Sequence, residues 1–267
     1  MNSKRVIWFS VTVMILTGIA LAISQNGDQS ELMARMHSDD WKQRAVAVER
    51  LIADRKALRS DDVRDSLINL LDRENQEIVS AYREGRPVSE KYGEAYSAYY
   101  AKLLGAVTEV ANVNNKRALD VLARGSYNPD SPFAMKLASY GEAVVPIFLQ
   151  LAQSDFAPHR ECALAILGEI MKRDENSTNR IPKDLKDEIR QALVQGTSDE
   201  EFWVRSQAVR SIGRSGDKEA IPLLERIMKS DPGAIPAAEP GEKRFPVREE
   251  ALKAISLIKN EARRNPM

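Results

Sequence analysis

The chain holds one cysteine and two histidines in 267 residues, and aromatic residues make up 6% of it. Each scarcity removes a class of chemistry. Cys162 alone cannot form an internal disulfide, so the fold must rest on its core. Set inside an apolar helical stretch, it reads as a buried, inert thiol rather than a reactive one. Neither His37 nor His159 has a Cys or His partner at zinc spacing, so no zinc site is expected. There is no Gly-rich phosphate loop, no Gly-x-Ser-x-Gly elbow and no calcium-loop pattern. Charge of one sign is missing too. The 39 Lys and Arg balance 39 Asp and Glu, without a basic block of the kind that holds nucleic acid. The expectation is a protein without catalytic residues, metal, cofactor or nucleic-acid partner.

Long hydrophobic runs are also scarce. The one that exists is Val6 to Ala22, which follows Lys4 and Arg5 and ends in Ala20-Leu21-Ala22. A basic start, a short apolar stretch and a small-x-small ending are the marks of a signal peptide. The run is about 17 residues, at the lower limit for a membrane span, so an uncleaved anchor over residues 6–23 is the alternative. Both readings export the rest of the chain, to the periplasm or outside the cell. Residues 1–22 are thus read as targeting segment or anchor, 23–38 as a polar tether, and 39–264 as the folded part.

What the chain has in quantity is apolar periodicity of helical type. In Asp199–Asp231, Val204, Ala208 and Ile212 share one helical face, and Ile221 to Met228 forms a second. Gly213 and Gly216 bracket the break between them. Neither helix of such a hairpin can bury its face alone, so neighbouring copies are required. Arg-x-x-Ala-(Val/Leu)-x-x-(Leu/Ile) occurs four times, starting at Arg44, Arg160, Arg205 and Arg248. The last three arginines are 45 and 43 residues apart, a solenoid period, and the first gap has room for two more units. The small alanine lets helices approach, and the Leu, Ile and Val around it fill grooves.

The stretch WVRSQAVRSIGRSGDKEAIPLLERI, supported by PHRECALAILGEI and PVREEALKAI, resembles the HEAT-repeat family and its lyase-type, HEAT-like bacterial branch. The resemblance implies an all-α fold, an α-solenoid of about five to six stacked helical hairpins. It also implies a ladder between repeats made by an acid near the turn and a following arginine. Asp39 or Asp40 precedes Arg44, Asp155 precedes Arg160 and Asp199 precedes Arg205, while Arg248 has no acid at that distance. The family's habit is to bind proteins.

All seven tyrosines lie between positions 82 and 140. Tyr92, Tyr96, Tyr99 and Tyr100 form one helical stripe, i, i+4, i+7, i+8. The stripe is either a Tyr-rich core between repeats or an aromatic contact surface for a partner. Trp41 and Trp203, both just before a repeat arginine, read as core. The loop Asp231–Pro246, with four prolines, is the other expected contact region. Asn176-Ser177-Thr178 matches a glycosylation sequon, a pattern that chance produces often. The functional expectation is an exported, non-enzymatic scaffold that binds another protein of the cell envelope through a concave wall of second helices. A small-molecule carrier or lyase-like enzyme on the same solenoid, and a membrane-anchored spacer, are the alternatives.

Overall fold

The computed structural model describes residues 29–85, 93–175, 180–236 and 242–264, without the side chains of 175 and 261–264. The targeting segment 1–22, Tyr92, the sequon at 176–178 and the middle of the Pro-rich loop lie outside the described residues. The chain packs as two compact units, one ending at Val110 and one starting at Ala111. The periodicity of the sequence shows no such division.

In the first unit a helical stretch over 29–36 precedes α1 (Trp41–Ala53), a 3-10 turn (Ala57–Arg59), α2 (Asp61–Arg83) and α3 (Glu94–Val110). Asp40 caps α1 by accepting the Lys42 N–H at 2.9 Å. The apolar face of α1 is Ala47, Val48 and Leu51, all 0–1% exposed. It faces α3, and α2 packs on α3 as well. From sequence the second helix ends near Leu71. In the structure α2 runs a further three turns, to Arg83. The reason is the burial of Glu74 and Asn75, whose polar ends find partners on neighbouring helices, so the polar stretch is inside rather than outside. Gly85, at φ +67°, then takes the left-handed conformation that stops the helix.

The second unit contains α4 (Lys116–Arg124), α5 (Pro132–Ala138), a 3-10 turn (Gly141–Val144), α6 (Val145–Leu151), α7 (Ala157–Glu175) and α8 (Lys183–Gly196). It continues with α9 (Phe202–Arg214), a 3-10 turn (Lys218–Ala220), α10 (Ile221–Ser230) and α11 (Pro246–Arg264). First helices stack in series, α5 on α7, α7 on α9 and α9 on α11. Each second helix packs on the first helix of the repeat that follows, α6 on α7, α8 on α9 and α10 on α11; α8 also meets its own first helix, α7, and the second helix before it, α6. This is α-solenoid construction. The Pro-rich loop holds a small antiparallel hairpin, β1 (Ile235–Pro236) and β2 (Lys243–Arg244), where the sequence suggests plain loop.

Contacts between first helices are unusually close. A Cβ on Gly168 would lie 2.5 Å from Ser211 Cβ, and one on Gly213 would lie 2.7 Å from Ala254 Cβ. Both glycines stand eight residues after their repeat arginine. Gly213 therefore serves helix approach, not the helix break assigned to it from sequence; Gly216, at φ +69°, makes the turn. Four residues after the arginine, Val48, Leu164 and Val209 are at most 1% exposed. Leu252, at the same position of α11, is 56% exposed, because no second helix follows α11 among the described residues. The rest of the exposed face of α11 is largely charged or polar, with Lys253, Ser256 and Lys259, though Leu257 is exposed there as well.

Candidate functional site

The tyrosine stripe is the first place where function was expected. Tyr96 and Tyr99 are 1% and 4% exposed, and Tyr100 is half-buried. A side chain at that depth cannot meet a partner, so the contact-surface reading of Tyr96 and Tyr99 is replaced by the core reading. The physical reason lies on α2. Tyr96 Oη donates to Glu74 Oε2 at 2.5 Å and Tyr99 Oη to Glu74 Oε1 at 2.9 Å. Tyr100 Oη donates to Asn75 Oδ1 at 2.6 Å. Trp41 stacks on Tyr99, ring centroids 6.1 Å apart, and meets Tyr96 edge-on at 5.5 Å.

Arg44 completes this cluster. Its Nε donates to Glu74 Oε1 at 2.6 Å, with both side chains at most 5% exposed. Its Nη1 donates to the Ser38 and Asp39 carbonyls. Burial, and then the Glu74 charge, push the Tyr96 and Tyr99 hydroxyls well above their usual range. They stay protonated and act as donors. Burial is the largest influence and opposes the Arg44 charge, but the bond to Glu74, the Glu74 charge and Tyr99 together outweigh it and raise the guanidinium pKa. Every polar end here has a partner, as a buried network requires.

The arginines at 160, 205 and 248 build a different device. Arg160 Nε and Nη2 clasp Asp199 at 2.7 and 2.9 Å, and Arg205 clasps Asp231 at 2.8 and 3.1 Å. In both pairs Nη1 donates to the chain just before the arginine's own helix: Ser154 O for Arg160, Asp199 O and Glu200 O for Arg205. Each aspartate thus serves two repeats, its carboxylate the preceding arginine and its carbonyl the following one. Asp199 and Asp231 also each accept the N–H two residues on, from Glu201 and Gly233. Arg248 Nε donates to the Asp231 carbonyl at 2.7 Å. So Asp231 stands where the acid of the last copy belongs, but Arg248 takes its backbone carbonyl, as Arg205 takes that of Asp199, while its carboxylate stays with Arg205. Asp231 stands 17 residues before Arg248 because the small hairpin is inserted between them. The acid of Arg160 is Asp199 of the next repeat and not Asp155, which precedes it. Bidentate Arg–Asp geometry fixes register as well as adding energy.

His159 is core as well. Its Nε2–H donates to the Arg124 carbonyl at 2.9 Å, and its ring stacks on Tyr127. The Cys162 thiol is buried, which pushes its pKa far up. Among the described residues no three His, Cys, Asp or Glu side chains gather as a metal ion would require. Also among them, no helix is long and apolar enough to cross a membrane.

One concavity in the second unit has the dimensions of a site. It is a cleft of about 510 Å³ between the turn from α5 to α6 and the end of α7 with residues 180–181, just before α8. Ala138, Ser139, Tyr140 and Glu142 line one wall; Ile170, Arg173, Asp174, Arg180 and Ile181 line the other. Asp174 is only 6% exposed and is bound within the wall. It meets Lys186 Nζ at 2.5 Å and accepts the Ile181 N–H in a short hydrogen bond. Burial acts to raise its pKa; Lys186, the Ile181 N–H and Arg180 overcome that and lower it. The sequence marks 173–182 only as a long inter-helix loop, and nothing local in it brings Arg173, Asp174, Arg180 and Ile181 against residues 138–142, some 35 positions earlier.

No curated protein matches the chain. Three solved structures, each of an engineered protein, are similar to it. The first is 17% identical over 87% of this chain and 99% of its own, with a TM-score of 0.40. The second is 14% identical over 87% and 97%, with a TM-score of 0.38. The third is 15% identical over 89% and 59%, with a TM-score of 0.41. Residues 145–239 match the family model of HEAT repeats, and this stretch, which holds both the Arg160–Asp199 and the Arg205–Asp231 pairs, is a run of HEAT repeats.

Proposed function

We propose that the chain is an exported, non-enzymatic scaffold that binds another protein of the cell envelope through the surface of its repeats. The observation that carries this is the HEAT run itself, with its inward polar groups committed to holding repeat to repeat. A stack built in this way offers rows of second-helix side chains, and such rows serve recognition. In the second unit those rows are the outer faces of α8 and α10, where Val194 is 45% exposed amid charged neighbours. Export is supported by Lys4-Arg5, the apolar run after them and Ala20-Leu21-Ala22. The one acid in the cleft with a displaced pKa, Asp174, is displaced downward. A general acid needs the opposite displacement, which favours binding over acid–base chemistry there.

In-cell crosslinking of the tagged chain, followed by mass spectrometry of what is retained, tests the reading. A specific envelope protein is expected. A retained set equal to that of an untagged control would sink it. The mass of the mature protein separates the two forms of export: loss of about 22 residues means a cleaved signal peptide, and an intact N-terminus means an anchor.

A further inference from the structure

We propose that the cleft lined by residues 138–142 on one side and by Ile170, Arg173, Asp174, Arg180 and Ile181 on the other is a subsite for an acidic side chain of a bound peptide, held between Arg173 and Arg180. This rests on the protein-binding reading above and gives it a place and a chemistry.

The argument is one of charge left over. Of the two acids in the cleft wall, Asp174 is consumed by Lys186 and the Ile181 N–H. The cations are only partly consumed: Arg180 shares with Lys186 in balancing Asp174, and Arg173 pairs with Glu169 through one edge. Arg180 is exposed, and it forms no hydrogen bond of its own among the described residues. Arg173 gives Nε to Glu169 at 2.8 Å, which leaves the outer edge of its guanidinium facing the cleft, and its side chain is 43% exposed. Lys136 Nζ sits 5.3 Å over the Tyr140 ring at the rim, a third cation held in place without a carboxylate. Against these stands one exposed acid, Glu142.

The surface of the cleft is mostly polar. Ile170 and Ala138, each 2% exposed, and Ile181, 8% exposed, lie behind it, and the Tyr140 ring is half-buried. A guanidinium edge in such a cleft fits a carboxylate. Basic residues in the last turn of α7 also answer the negative end of that helix. That explains Lys172 and Arg173; it does not explain Arg180, which comes after the helix, nor Lys136, which comes from α5.

The probe is a fluorescein-labelled peptide of alternating glutamate and leucine, titrated with the full chain in mild detergent and read by anisotropy. Saturable binding that weakens with salt is expected. The Arg173→Ala/Arg180→Ala variant, checked for unchanged helicity, is expected to lose tenfold or more in affinity. Glu142→Gln is expected to bind more tightly, because a like charge leaves the facing wall. The peptide with glutamine or lysine in place of glutamate is expected to bind weakly or not at all. Absence of binding, binding untouched by the double variant, or equal binding of the glutamine peptide would each overturn the proposal. Displacement by millimolar inorganic phosphate would reassign the cleft to phosphate and overturn it too. Repeating the crosslinking with the double variant separates the two readings. A partner retained by both forms, without peptide binding, removes the subsite and leaves the scaffold. No partner for either form removes the scaffold.

Discussion

The same sequence motif holds two regions of this protein together in different ways. In the second unit Arg160 and Arg205 each reach forward to an aspartate at the next turn, Asp199 and Asp231. Those contacts lie near the edge of the stack, with side chains about a tenth exposed. In the first unit Arg44 reaches instead to Glu74 in the middle of α2, where exposure is nil and two tyrosines complete the carboxylate's shell. A forward clasp can be repeated indefinitely, since each aspartate serves the arginine before and after it. An inward cluster cannot be repeated, since it consumes groups from three helices at one point. The difference teaches that the arginine specifies a carboxylate, and the neighbouring helices decide which one.

The largest effect expected is at the inward cluster. Glu74→Ala leaves Arg44 charged and buried and two tyrosine hydroxyls without an acceptor, a loss of about 3–5 kcal/mol. Denaturant unfolding measures it, and amide exchange should show protection lost first in α1 to α3. Uniform loss across α7 to α11 as well would erase the contrast between the units. Next comes Gly213→Val. Its branched side chain must enter space already held by Ala254, at a cost of about 1–3 kcal/mol. Ile52 stands at the same register position in α1 and is only half-buried there, so Ile52→Val should change little. Equal losses at the two positions would show that close approach of first helices is not special to the second unit.

A contrast of similar size separates two leucines. Leu164→Ala removes a core side chain, for about 2–5 kcal/mol. Leu252→Ala, at the equivalent position of α11, should stay within about 0.5 kcal/mol. A large loss at Leu252 would mean that something covers that face in solution. The smallest effect is at Glu161 on α7. Burial raises its pKa, partly offset by Arg210 and reinforced by Asp130. With the folded pKa above the unfolded value, ionisation opposes folding at neutral pH, and the penalty fades as pH falls toward the unfolded carboxylate range near about 4. Glu161→Gln should therefore raise the melting temperature slightly at pH 7 and leave it unchanged at low pH. A gain that persists at low pH would point to a packing effect instead.

Much of this was legible beforehand in particular residues. The helical faces at Val204, Ala208 and Ile212 and the cap at Asp40 appear where periodicity and capping chemistry put them. The tyrosine stripe was legible as a stripe but not as a direction. Spacing of i, i+4 and i+7 says that side chains share a face. It does not say whether that face meets water or Glu74, because Glu74 is twenty residues away and polar. The extension of α2 was hidden for the same reason: Glu74 and Asn75 read as a surface until their partners on other helices are known. Asp231 was missed as the acid of the last repeat because the inserted hairpin lengthens the interval to Arg248 while leaving the geometry intact. The cleft was beyond reach, since its walls come from segments that no local pattern connects.

By itself the sequence determined that the chain is helical, that it is built from repeats, and that arginine and alanine recur at fixed places within them. These follow from short-range rules: the 3.6-residue period, the small side chain at a close crossing, the cap before a first turn. Only the tertiary structure decided which carboxylate each arginine holds, which glycine turns the chain and which lets helices touch, and that the tyrosines point inward. Those choices depend on groups far apart in the chain, brought together by the burial of faces that local rules create but cannot pair.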